Sequence, residues 1–177
     1  MLAGCPETVG QSCPPSSYAL GQYSLSFAVL DAGSTCTLTT TTDAGSTTGP
    51  LAASDGGQQT ATICAGDATD GGGSIYLVVP GKGSRKSDLL PDAGFSFVGH
   101  TDPTSGSACI CAIAIDETFS GRLTGAWDGG VPAQPDGGLP PITGLSGSLV
   151  DQLTTPGTGC ACNVPCAVTY TVTGTRF

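Results

Sequence analysis

Nine cysteines stand at positions 5, 13, 36, 64, 109, 111, 160, 162 and 166. Cys109 and Cys111 open the stretch 108–119, ACICAIAIDETF, and Cys160, Cys162 and Cys166 fall in 160–177, CACNVPCAVTYTVTGTRF. Thiols this dense can join as disulfides or, as thiolates, hold a soft metal ion. No Cys-x-x-Cys pair occurs, and zinc pairs usually use that wider spacing, so disulfides are expected and no metal or other cofactor. Eight cysteines (13, 36, 64, 109, 111, 160, 162 and 166) would form the framework. Eight can pair in about 105 ways, and the sequence favours Cys109 and Cys111 bonding to the cluster at 160–166.

The other chemistry-bearing residues are sparse. Lys82, Arg85 and Lys86 are three of the five cations, grouped in GKGSRKS after the apolar run IYLVV. They could form a small anion-binding loop, although the phosphate-loop spacing is absent. The plainer expectation is a solvated hairpin tip, at which three serines would cost less than about half a kcal/mol. His100 is the only histidine and lies near Asp102 and Ser105, but no nucleophile-elbow motif surrounds a serine. Asp116 and Glu117 are adjacent in a strand pattern, so they point to opposite faces and do not flank one bond. No catalytic residue is assigned. Asp-Ala-Gly or Asp-Gly-Gly begins at 31, 43, 55, 70, 92, 128 and 136. Calcium needs several converging oxygens, whereas most of these aspartates stand alone. They read as turns, with Asp bonding its own backbone and Gly supplying the left-handed conformation. Trp127 reads as a core or rim aromatic.

These residues need a scaffold, and the composition says which kind. With 28 Gly and 13 Pro in 177 residues, helices are interrupted everywhere, and the apolar period is two rather than 3.6. Tyr23, Leu25, Phe27 and Val29 alternate with small polar residues. Thr35–Thr42 follows as a Thr-rich strand, and further strands are expected at Thr60–Cys64, Ser74–Val79, Phe95–Gly99, Ser120–Trp127 and Ile142–Val150. With 108–119 and 160–177 the chain holds about nine strands. Short connections make neighbours antiparallel. The expected fold is all-β: a disulfide-bonded antiparallel meander closing into a barrel, with a β-sandwich as the alternative. Residues 1–17 read as an anchor region and short tether, and 18–177 as one domain with exposed Gly/Pro-rich loops near 43–58 and 128–141.

A net charge of −9 argues against nucleic acid or an anionic membrane surface as partner. Nine cysteines in so weakly charged a chain point to an oxidising compartment, yet an odd number leaves one thiol over. Leu2-Ala3-Gly4-Cys5 resembles the lipobox of bacterial lipoproteins, in which the chain is cut before the cysteine and its sulfur carries the lipid. The resemblance covers four residues and resolves the parity. It departs from the family in that Met1 directly precedes Leu2, where a signal peptide would stand. Pro6 after the cysteine resembles an outer-membrane address. A smaller resemblance is to lipocalin-like (calycin) barrels, in which a Gly-x-Trp on the first strand is covered by a basic side chain from the last. Here these would be Gly21-Gln22-Tyr23 and Arg176, with Tyr23 in place of the Trp.

Together these imply a non-enzymatic, exported module anchored by Cys5 to the outer membrane or cell surface, with a structural or binding role toward a protein or small ligand. A carrier of a small apolar molecule is the alternative. A secreted hydrolase built on His100 ranks below both.

Overall fold

The computed structural model describes residues 12–30, 32–42, 45–50, 58–66, 73–90, 92–104, 111–125 and 142–177. Ten strands occur among them: β1 (Ser17–Val29), β2 (Thr37–Thr42), β3 (Gly45–Pro50), β4 (Gln58–Gly66), β5 (Ser74–Val79), β6 (Gly83–Asp88), β7 (Gly94–Thr104), β8 (Ile113–Gly125), β9 (Ile142–Thr154) and β10 (Cys166–Arg176). Eight of them form one antiparallel sheet in the order β6-β5-β4-β1-β10-β9-β8-β7. The first and last strands of the chain lie side by side, with Tyr23 opposite Arg176 and Phe27 opposite Val172. The two edge strands, β6 and β7, come back together, so the sheet is nearly closed into an up-and-down barrel. A sandwich would have required two facing sheets. The second sheet is the small β2–β3 hairpin.

Alternation of side chains decides what fills the barrel. Tyr23 and Leu25 of β1, Ile63 of β4, Leu77 of β5, Phe97 of β7, Phe119 of β8 and Val172 of β10 all belong to one buried cluster. The rings of Phe95, Phe97 and Phe119 meet at centroid distances of 5.0, 5.0 and 6.2 Å. They fit because Gly121 and Gly147 sit opposite each other on β8 and β9. A Cβ on Gly121 would come within 2.9 Å of the Phe95 ring, and one on Gly147 within 3.0 Å of the Phe119 ring. Outward positions such as Ser26, Ser120, Ser146, Ser148, Thr171 and Thr173 are exposed.

Several boundaries differ from expectation, each for a physical reason. The loop expected at 43–58 contains β3, because the Thr- and Ser-rich segment completes its hydrogen bonds against β2 from Thr37–Pro50 to Thr42–Gly45. Within GKGSRKS only the beginning is a tip. Strand β6 starts at Gly83 and pairs with β5 from Val79–Gly83 to Ser74–Asp88. Positions 113–125 are one uninterrupted strand rather than two, paired along its length with β9. In 160–177 the strand begins at Cys166, since Pro156, Gly157, Gly159 and Pro165 keep the preceding segment irregular. Cys36 lies just before β2, not within it.

Of the seven Asp-Gly turns, the one at 92–94 lies wholly among the described residues. There the Asp92 carboxylate accepts from the Gly94 amide at 3.2 Å, the expected local bond. The left-handed residue, however, is Ala93, at φ 60°, not the glycine. Cys5 and the rest of 1–11, Ser105, Cys109, Trp127 and the segment 128–141, where a loop is expected, lie outside the described residues.

Candidate functional site

Where β8 and β10 begin and β5 and β9 end, the barrel interior turns from apolar to ionic. Arg85 faces inward with Ser87, while Lys86 between them is exposed. The Arg85 guanidinium crosses the inner face of Gly99 on β7. A Cβ there would lie 2.6 Å from Arg85 Nε, so this path exists because residue 99 has no side chain. Beyond it the guanidinium grips Glu117 of β8 with both arms: Nη1 donates to Oε1 at 3.3 Å, and Nη2 donates to Oε2. Lys82 Nζ, in the β5–β6 turn, stands 3.9 Å from Glu117 Oε1. The side chains of Arg85 and Glu117 are 14% and 8% exposed, so the pair is shielded and two-pronged, the strong form of such a contact.

Asp151 of β9 is the register partner of Glu117. Its Oδ1 is buried and has no hydrogen-bond partner. Burial, with the Glu117 charge next, pushes its carboxyl from the ordinary 3.8 up to about 6, against the opposing pull of Lys82 and Arg85. Tyr170 of β10 completes the group. Burial first, then Asp151 and Glu117, push its phenol up to about 12. This arrangement can take up or release one proton near neutral pH.

A carboxyl whose acidity is weakened by folding leaves the native state holding more protons than the unfolded chain between about pH 4 and 6. The stability tied to protonated Asp151 is complete below pH 4 and is lost as pH rises through about 6. Asp151→Asn removes this loss. We expect it to raise stability by about 1–2 kcal/mol at pH 8, with allowance for the partial exposure of Asp151, and by nothing at pH 4. Urea denaturation of both proteins at the two pH values checks it, and an equal difference at both would refute it.

The residues expected to bind an anion are therefore dispersed. Arg85 and Lys82 are turned toward an internal carboxylate, and Lys86 projects to the opposite face of β6. His100 lies on the outer wall, where Nδ1 is 2.6 Å from Asp116 Oδ1 and Nε2 is 3.6 Å from Asp102 Oδ1. The hydrogen bond to Asp116, chiefly, raises its pKa. Asp116 and Glu117 do point to opposite faces, one exposed and one buried. Asp92 pairs with Arg122. Among the described residues no three His, Cys, Asp or Glu side chains are placed to hold a metal ion. At the opposite end of the barrel the Arg176 side chain lies against Gly21, and the Tyr23 hydroxyl is 3.4 Å from the Ile142 carbonyl oxygen to which it donates.

Three disulfides join pairs of described residues around the barrel. Cys13–Cys64 ties the segment before β1 to β4, Cys36–Cys166 ties the entry to β2 to β10, and Cys111–Cys160 joins the segments preceding β8 and β10. Cys162 is disulfide-bonded as well. The ionic group had a sequence signal that went unused. Glu117 is in phase with Ile113, Ile115 and Phe119, and Asp151 with Leu149 and Leu153. A carboxylate in the apolar phase of a strand must be paired or neutralised.

No protein-family model matches the chain, and neither the curated proteins nor the solved structures contain a match.

Proposed function

We propose that this chain is a non-enzymatic module of the cell envelope, exported and held at the outer membrane by a lipid on Cys5, with a structural or binding role. The observation that carries the reading is the state of the cysteines. All seven among the described residues are disulfide-bonded, which fits an oxidising, exported compartment. Nine cysteines cannot all pair within one chain, and Leu2-Ala3-Gly4-Cys5 gives the unpaired one a chemical role. The membrane is then reached through acyl chains rather than through the protein surface, whose net charge is −9.

Packing favours a structural or surface-binding role over a carrier. Tyr23, Leu25, Ile63, Ile75, Phe97, Val168 and Val172, from five strands, are each 2% exposed or less. Close packing of these side chains supports the structural reading, since carrier sites need several hundred Å³.

Expression behind a lipoprotein signal peptide in a Gram-negative host tests the anchor. Wild-type protein should sediment with the membrane and incorporate labelled fatty acid. Cys5→Ser should be soluble in the periplasm with unchanged denaturation, because Cys5 precedes every strand of the described residues. Membrane association that survives Cys5→Ser would overturn the anchor.

A further inference from the structure

We propose that the junction between β6 and β7 is a proton-responsive gate, held shut by Arg85 on Glu117 while Asp151 carries a proton and loosened when Asp151 ionises. Among the described residues, seven of the eight junctions around the barrel are main-chain ladders, and β6–β7 is the one that is not. Near the 89–93 connection it is held by Leu90 N–Gly94 O at 2.9 Å and by the Ser96 amide donating to Ser87 Oγ at 2.8 Å. Toward the ionic end, the contact described across it is the Arg85 side chain, laid over Gly99 and gripping Glu117. This is a clasp between strands that share no ladder, and the β7 residues beside it, Val98 and His100, are exposed.

The charged and titratable groups facing Asp151 are Lys82 from the β5–β6 turn, Arg85 from β6, Glu117 from β8 and Tyr170 from β10. Strand β7 contributes Gly99, which carries no charge. With Asp151 protonated, two cations serve a single carboxylate. Once ionised, Asp151 repels Glu117 and competes with it for Arg85. Its Oδ1 has no donor, so relief has to come from water, and the β6–β7 junction is the wall without a ladder to keep water out. In the open state Asp151 is hydrated and regains ordinary acidity. The closed state therefore holds more protons, and rising pH drives opening, centred near the value of about 6 set by its surroundings. Opening uncovers the main-chain edges of β6 and β7.

Amide hydrogen exchange on the full chain at pH 5 and 7.5, corrected for intrinsic rates, reads the gate directly. The opening constant of 83–87 and 96–100 should rise about tenfold between the two, while β9 and β10 stay protected. Asp151→Asn should keep both segments protected at both pH values. Gly99→Val, which collides with Arg85, should leave them open at both. The Asp151 carboxyl resonance, followed in parallel on wild-type protein, should titrate near 6. Unchanged protection in the wild type, a retained pH dependence in Asp151→Asn, or an Asp151 titration near 4 would each overturn the proposal.

Discussion

Arg85→Ser should lower stability by about 3 kcal/mol and the melting temperature by roughly 6–12 °C. Arg85 is the two-pronged partner of Glu117, and the side chain left behind is 8% exposed. Breaking a buried pair from one side costs about 3–5 kcal/mol, because the remaining charge is neither solvated nor matched. Lys82 at 3.9 Å supplies part of what is lost, which places the effect at the lower end. Lys86→Ser, on the exposed face of the same strand, should stay within about half a kcal/mol. Replacing both partners, Arg85→Met with Glu117→Leu, should recover most of the loss, since a buried pair is often no more stable than apolar residues of similar volume. Thermal denaturation of the three variants decides the matter. A fall below about 2 °C for Arg85→Ser would mean that the guanidinium is solvated and the clasp does not form.

The second large effect is expected at Cys36–Cys166. Opening it by Cys36→Ser with Cys166→Ser should cost up to about 5 kcal/mol, since it closes 130 residues. The Cys111–Cys160 bond closes 49, and the logarithmic dependence on loop length makes its loss cheaper by only about 1 kcal/mol. Burial widens that difference. Cys36 and Cys166 are 3% and 6% exposed, so two serine hydroxyls would enter the core there, whereas Cys111 and Cys160 are half-buried. Single substitutions would fare worse than either pair by leaving a thiol free to mispair. Chemical denaturation of the two double variants tests the order, and greater loss on opening Cys111–Cys160 would contradict it. Against a whole-domain stability of about 5–15 kcal/mol, either change is severe.

How much of this was legible in the chain depends on the kind of signal. Strands β1, β5 and β10 carry apolar residues every second position, as in Tyr23, Leu25 and Phe27, and alternation alone reveals them. Strands β3 and β6, GSTTGP and GSRKSD, have no apolar residue. They are strands because a neighbour completes their hydrogen bonds, and that information lies outside the segment. Closure of the sheet was legible only as a tendency, from short connections and hairpin turns.

The ionic group was half legible. Glu117 and Asp151 break the apolar phase of their strands, which announces buried carboxylates. Their cation is 32 residues from Glu117 in sequence and comes from a strand read as a loop. Its approach further depends on the missing side chain at Gly99. The disulfides follow the same division. A bridge from 111 to the cluster at 160–166 was expected from density, whereas Cys13–Cys64 and Cys36–Cys166 follow from the barrel's strand order.

The fate of the ninth cysteine decides whether the chain is an anchored module. Intact-mass and peptide mapping of the protein recovered from membranes, with and without reductant, addresses it directly. The predicted result is four disulfides, Cys109 joined to Cys162 as the fourth, no free thiol, and an acyl-modified Cys5. Cys5 found in a disulfide, or two or more free thiols in the native protein, would contradict it.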